Sequence, residues 1–152
     1  ELARAAGASG MVGGQMLDLL AEHSGFDIGG VTRLQRLKTG ELIAFSCAAG
    51  AVLGHAPLPA RQALHAFAHD LGLAFQITDD LLDAEGSAAV LGKPVGHDAS
   101  AGKATFVSIL GAERARAQAD LLARQAVQHL DFFEEKADLL RAVPGFVIAR
   151  RH

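Results

Sequence analysis

The sequence has no tryptophan and no tyrosine; its aromatic residues are eight phenylalanines. It offers no Trp or Tyr platform for base stacking. Its 14 Lys and Arg are scattered among 17 Asp and Glu, for a net charge of −3. With neither a basic stripe nor a stacking surface, the chain is not built to hold nucleic acid. A single cysteine, Cys47, rules out an internal disulfide. A lone thiol in an apolar helical segment suits a reducing, cytoplasmic setting and reads as small hydrophobic filler. No apolar run reaches the ~18 residues of a membrane span; the nearest, Leu42 to Leu53, is short and rich in alanine and glycine. No signal peptide is visible. Strand signals are also missing: there are few β-branched runs and no alternating segments joined by hairpin turns. Only four prolines occur, Pro57, Pro59, Pro94 and Pro144. The intervals between them are rich in Ala, Leu, Arg, Gln and Glu, all good helix formers. The fold class is therefore all-α.

Half of the residues are hydrophobic and a fifth are charged, with a mean hydropathy of +0.23. A chain of 152 residues is long enough for one domain with a real core. An apolar excess without a membrane span points to faces meant for burial against something else, either a partner subunit or a missing part of the same chain. The start at Glu1, without methionine and already in helical sequence, has the look of a cut through a longer protein.

Proline, glycine and apolar spacing divide the chain into helices. A first runs from about Leu2 to Glu22, and its Gly7, Gly10, Gly13 and Gly14 imply very close packing against a neighbouring helix or ligand. Ser24–Gly30 reads as a loop. A second helix covers about Thr32 to Leu53, with Thr32 a candidate N-cap. A third starts near Pro59, a good first-turn residue, and runs to Asp83 or Ala84. Its apolar stripe is Leu64, Phe67, Leu71, Phe75 and Leu82. A loop follows over residues 86–103, with a short turn at Ala88–Leu91. A fourth segment from Thr105 to Leu130 breaks near Gly111. A last helix from Leu139 to Arg150 is interrupted near Pro144.

The third helix ends in an unusual way. In FQITDDLLDAEG, three carboxylates fall within five positions of an otherwise apolar helix. Asp79 and Asp83 are one turn apart, Asp80 flanks the same face, and Gln76 lies one turn before the pair. Left alone these groups repel each other, and they sit where the helix dipole disfavours anions. A hard divalent cation removes both penalties. Magnesium takes one or two carboxylates, keeps some water and completes its shell with phosphate oxygens. A solvated acidic patch at a helix end is the structural alternative. A calcium loop does not fit, because the carboxylates lie on helical sequence and do not alternate.

The next residues favour the magnesium reading. LGKPVGHDASAGKATF brings Lys93 and Lys103 among Gly92, Gly96 and Gly102: lysines supply charge for phosphate, and glycines allow close backbone approach. The second helix adds Lys38-Thr39 in RLKTGEL, an ammonium and a hydroxyl that suit a phosphate oxygen. The glycine spacing of a Walker A loop is missing. His65 and His69 are one turn apart, but HAFAHD lacks the glutamate of a zinc protease motif.

In this order, GMVGGQMLDL, KTGELI, FQ with DDLLD, and GKPVGHDASAGKAT resemble the trans-isoprenyl diphosphate synthases (polyprenyl synthetases), in the flavour of the bacterial farnesyl diphosphate synthases. The resemblance covers essentially the whole chain. It implies an all-α bundle around a deep cavity, with two aspartate-rich motifs on facing helices, of which Asp79 to Asp83 would be the second. It implies Mg2+ as cofactor, held directly by Asp79, through bound water by Asp80, and through the lysine-bearing loop by Asp83. Lys38, Thr39 and Lys93 match positions that bind the allylic diphosphate. Gln76, beside Phe75, matches a polar residue near the reacting carbons. Lys103 matches a lysine close to the second motif, and Gln15 a position on the cavity wall.

The resemblance has a gap. The family's first aspartate-rich motif, the basic residues before it and the arginines after it are not in these residues. The match begins roughly halfway through a family member and runs to its end, where FVIARRH resembles the terminal helix and basic tail. Residues 1–152 then correspond to the C-terminal half of a single isoprenoid synthase domain, whose missing N-terminal half is needed to complete the reaction. The implied reaction condenses an allylic diphosphate with isopentenyl diphosphate to farnesyl diphosphate, in a homodimer. Alternatives are a longer-chain (geranylgeranyl or polyprenyl) diphosphate synthase, a silent subunit of a hetero-oligomeric synthase, or a purely structural helical module. No Ser-His-Asp or Cys-His set points to a protein nucleophile.

Overall fold

The computed structural model describes residues 1–21, 25–85 and 103–150. Eight α-helices are described: α1 Leu2–Ala6, α2 Met11–Ala21, α3 Ile28–Gln35, α4 Glu41–Leu53, α5 Leu58–Glu85, α6 Phe106–Leu110, α7 Ala112–His129 and α8 Asp138–Ala149. A π-helical turn, Arg36–Gly40, joins α3 to α4, and a 3-10 segment, Asp131–Ala137, precedes α8. Among the described residues there is no strand. No helix in them is long and apolar enough to cross a membrane.

The 28-residue α5 is the spine, about 42 Å long at 1.5 Å per residue. It packs along α7, the most extensive helix pair among the described residues. Small side chains allow the approach: Ala115, Ala119, Ala123 and Ala126 repeat at helical spacing on α7 and are all buried. Ala74 of α5, fully buried, clusters with Ala115 and Ala119. Two apolar clusters result. One gathers Val31, Ile77, Leu81, Phe106 and Leu122 near the C-terminal end of α5. The other gathers Phe67, Leu71, Leu130 and Val147 around its middle. Of the expected stripe, Phe67 and Leu71 are buried and Leu64 and Phe75 pack at the edge of the second cluster. Leu81 takes the buried place expected of Leu82. Cys47 is half-buried against that cluster, and burial pushes its thiol up.

Several boundaries differ from the sequence expectation. The first helix is two, because residues 7–10 (Gly-Ala-Ser-Gly) fold as a turn between α1 and α2; two glycines and a serine within four positions weaken helix too much to carry it through. The second helix begins four residues before Thr32. Asp27 is its N-cap, accepting from the Gly30 N–H at 2.8 Å, while the Thr32 hydroxyl donates back to Ile28 O. Asp is as good a cap as Thr, and its position decides. The expected break at Gly111 is present, with φ at +81°, and Thr105 closes a capping box on α6. Pro144 does not interrupt α8: its ring is buried inside the helix. The short turn at Ala88–Leu91 lies outside the described residues.

Apolar surface remains. On α2, Val12, Met16, Leu19 and Leu20 are each about half exposed, a stripe at helical spacing. Leu53, Leu139 and Phe146 are more exposed still, at 80%, 86% and 75%.

Candidate active-site cleft

The π-turn Arg36–Gly40 carries Lys38 and Thr39. A π-turn inserts an extra residue into the helical ladder and is frequent at functional sites. Here two glycines clamp it from opposite sides. A Cβ on Gly14 of α2 would lie 2.2 Å from the Lys38 backbone nitrogen, and one on Gly72 of α5 would lie 3.2 Å from Gly40 Cα. The close packing expected of the α2 glycines is therefore real at Gly14, and its partner is the lysine-bearing turn.

From this turn a chain of polar contacts runs to α5 and on to α6. The Thr39 hydroxyl donates to Gln76 Oε1 at 3.2 Å. Gln76 Nε2 donates to Asp80 Oδ1 at 3.1 Å. Asp80 Oδ2 accepts the Phe106 backbone N–H at 3.0 Å, an otherwise orphaned donor in the first turn of α6. Asp80 is only 4% exposed, and these bonds are what a carboxylate needs to be tolerated there.

The lysines meet on Asp18, a residue to which no sequence motif gave a role. Asp18 of α2 accepts from Lys38 Nζ at 2.7 Å through Oδ2. It also accepts from Lys103 Nζ at 3.3 Å through both oxygens. Burial pushes its carboxyl up, but the bonds and charges of the two lysines outweigh that and hold it below its ordinary value. Its signal was present as a single acid in the apolar run GMVGGQMLDLL. Only the fold shows which cations it meets. Arg150 is the second such residue. Its guanidinium lies 3.9 Å from the centre of the Phe75 ring and donates to Phe75 O at 3.2 Å and to Asp79 Oδ1 at 3.3 Å. Burial lowers its pKa and Asp79 opposes that shift.

Lys38, Thr39, Phe75, Gln76, Asp79, Asp80 and Lys103 thus line one cleft, together with Asp18 and with room for about 300 Å³ of solvent. Asp83 does not line it; one turn beyond Asp79, it is 9% exposed. Lys93 lies outside the described residues. Gln15 is exposed on α2 and is not among the cleft residues. His65 and His69 line a separate pocket with Arg36 and Glu41. Among the described residues, no three or more His, Cys, Asp or Glu are arranged to hold a metal ion by themselves. Asp79 does offer the cleft a hard oxygen donor, its side chain 41% exposed. That donor set fits a magnesium ion which brings its own water and phosphate oxygens, not one held in an all-protein cage.

Comparison with known proteins identifies the family and the fold. The polyprenyl synthetase family pattern matches residues 4–143. The farnesyl diphosphate synthase of Bacillus subtilis (strain 168) is 37% identical over 152 residues, covering 100% of this chain and 51% of its own length. A farnesyl/geranylfarnesyl diphosphate synthase from Zymomonas mobilis, solved in its apo form, superimposes with a TM-score of 0.84 at 49% identity, over 96% of this chain and 48% of that one. A geranyltransferase from Helicobacter pylori, solved with magnesium and isoprenyl diphosphate, does so with a TM-score of 0.77 at 31% identity, over 93% and 46%. The chain spans about half the length of the relatives it matches.

Proposed function

This chain belongs to the polyprenyl synthetase family, and from that premise we propose that it carries the second aspartate-rich half-site of a trans-prenyltransferase. Residues 1–152 are then the C-terminal half of one isoprenoid synthase domain, and the whole enzyme, a homodimer, condenses an allylic diphosphate with isopentenyl diphosphate. The observation that supports this reading best is the meeting of Lys38, Thr39, Gln76, Asp79, Asp80 and Lys103, distant in sequence, around one cleft.

In this proposal Lys38 and Lys103 bind the diphosphate from the cleft, Lys93 is a further cation for it by family resemblance, and the Thr39 hydroxyl serves the same group. Asp79 is the carboxylate for magnesium, with Asp80 and Asp83 behind it. Magnesium, when bound, supplies positive charge to the departing diphosphate. Stabilising the charge that develops on a leaving group is usually the largest contribution to such a reaction. The allylic cation left behind needs surroundings that exclude water, and Phe75 and Gln76 are the cleft residues placed nearest to it in this reading. The double bond of isopentenyl diphosphate attacks that cation, and a proton is lost to the released diphosphate. No protein nucleophile is required.

Farnesyl diphosphate is the product favoured here; the relatives named above include a farnesyl and a farnesyl/geranylfarnesyl synthase. A longer-chain synthase is the second reading. A silent subunit is disfavoured, because Lys38, Thr39 and the aspartates keep the chemistry such a subunit could lose.

Calorimetric titration of dimethylallyl thiolodiphosphate, with and without Mg2+, tests the half-site. Binding that needs magnesium and is lost in Asp79→Ala/Asp83→Ala supports it. Binding indifferent to both would mean that the aspartates are a solvated acidic patch. Product analysis of the full-length protein then decides chain length.

A further inference from the structure

Asp18 is assigned no part in the reaction above, yet it is the shared acceptor of both described cleft lysines. A 2.7 Å bond from Lys38 and a 3.3 Å bond from Lys103 to the same Oδ2 keep the two ammonium nitrogens within about 6 Å. At that distance two cations repel unless an anion lies between them. The Asp18 side chain is 13% exposed and Lys103 16%, with Lys38 more open at 35%, so solvent screens the Lys103 contact least. A second observation falls on the same helix face. Gly14, one turn before Asp18, seats the Lys38 backbone against α2. One face of α2 therefore fixes Lys38 at both ends, backbone by contact and ammonium by charge.

We propose that Asp18 is a positioning residue of the cleft: it holds Lys38 and Lys103 as a pair aimed at one anion, and so sets affinity for the diphosphate without contacting it. An ammonium carries three donors, so a bond to Asp18 leaves capacity for phosphate oxygens. The lysines then arrive pre-ordered, and binding does not have to order them. This inference rests on the diphosphate reading of the cleft, and its test separates the two.

The test is the same titration of dimethylallyl thiolodiphosphate with Mg2+ into the intact protein and its Asp18 variants. Asp18→Asn, which keeps shape and removes charge, should weaken binding by about tenfold or more. Asp18→Glu should fall between it and the wild type. In steady state the loss should appear in KM for the allylic diphosphate, with kcat within about twofold. If Asp18→Asn binds as well as wild type or better, Asp18 is a spectator or a competitor of the ligand and the proposal is overturned. Should Asp18→Asn fail to fold, Asp18→Glu decides, since unchanged binding after the carboxylate moves by a methylene refutes positioning. A folded wild type that binds no analogue overturns the diphosphate reading itself. Positioning is then decided by 15N NMR of the lysine ammonium groups. Slowed proton exchange at Lys38 and Lys103 that is lost in Asp18→Asn upholds it, and identical signals in both proteins refute it.

Discussion

The two halves of α5 are buried in different ways. From Ala60 to Leu71 every buried side chain is apolar, with Phe67 and Ala68 at 0% exposure. Beyond Gly72, apolar Ala74, Ile77 and Leu81 alternate with Thr78, Asp80 and Asp83, all buried. Burial of the first kind is non-directional and asks only for matching volume. Burial of the second kind needs a hydrogen-bond partner at a fixed place for each polar group. Thr78 finds its partner one turn back at Ala74 O, but Asp80 depends on the Phe106 N–H, 26 residues away. The apolar half holds the fold together. The polar half ties the cleft into it, so damage there should reach both stability and binding.

Four measurements press on this contrast. Phe67→Ala empties a sealed site and should cost about 3–5 kcal/mol in urea denaturation, while the folded fraction keeps its affinity for the diphosphate analogue. A loss of binding at equal folding would erase the distinction between the halves. Asp80→Ala leaves the Phe106 N–H and the Gln76 amide short of an acceptor and should cost about 1–3 kcal/mol. Unlike Phe67→Ala, it should also weaken the analogue. Asp27→Ala, at the start of α3 and outside the cleft lining, removes an N-cap and should cost about 1 kcal/mol with binding of the analogue unchanged.

The smallest effect concerns acid. The Asp18 carboxyl is held below its ordinary value, by Lys38 and Lys103 against burial. A carboxyl depressed in the folded state stabilises it above the unfolded pKa, near 4, and loses that contribution as pH falls through the folded value. The stability difference between wild type and Asp18→Asn should thus be full at neutral pH and shrink below about pH 4. A difference that grew in acid would contradict the lysine bridge.

The fate of individual residues shows how far the sequence could be read. Helix α5 was legible almost to the residue, from Pro59 at its start and leucine and phenylalanine spacing along it. The break at Gly111 was legible because glycine there adopts a positive φ. Asp27 was missed as a cap because Asp and Thr are equally good signals and local sequence does not rank them. The segment Asp131–Ala137 was missed because its turn at Glu134, φ 50°, is imposed on a residue with no preference for it. Of the candidate site, the residue types and their order were readable. Asp83 shares a helix face with Asp79 as expected, is buried one turn beyond it, and is not among the described residues that line the cleft.

The all-α class, the long central helix and the residue types now found around the cleft were written in the chain itself. These follow from a 3.6-residue repeat and from side-chain chemistry, both local properties. The tertiary structure alone decided that Asp18 serves Lys38 and Lys103, 20 and 85 residues away. It alone decided that Arg150 reaches Asp79, 71 residues away, and that Gly14 makes room for the turn carrying Lys38. An ion pair or a close backbone approach leaves no periodic trace in a chain. It depends on where helices cross, and that is set by the packing of the whole apolar core.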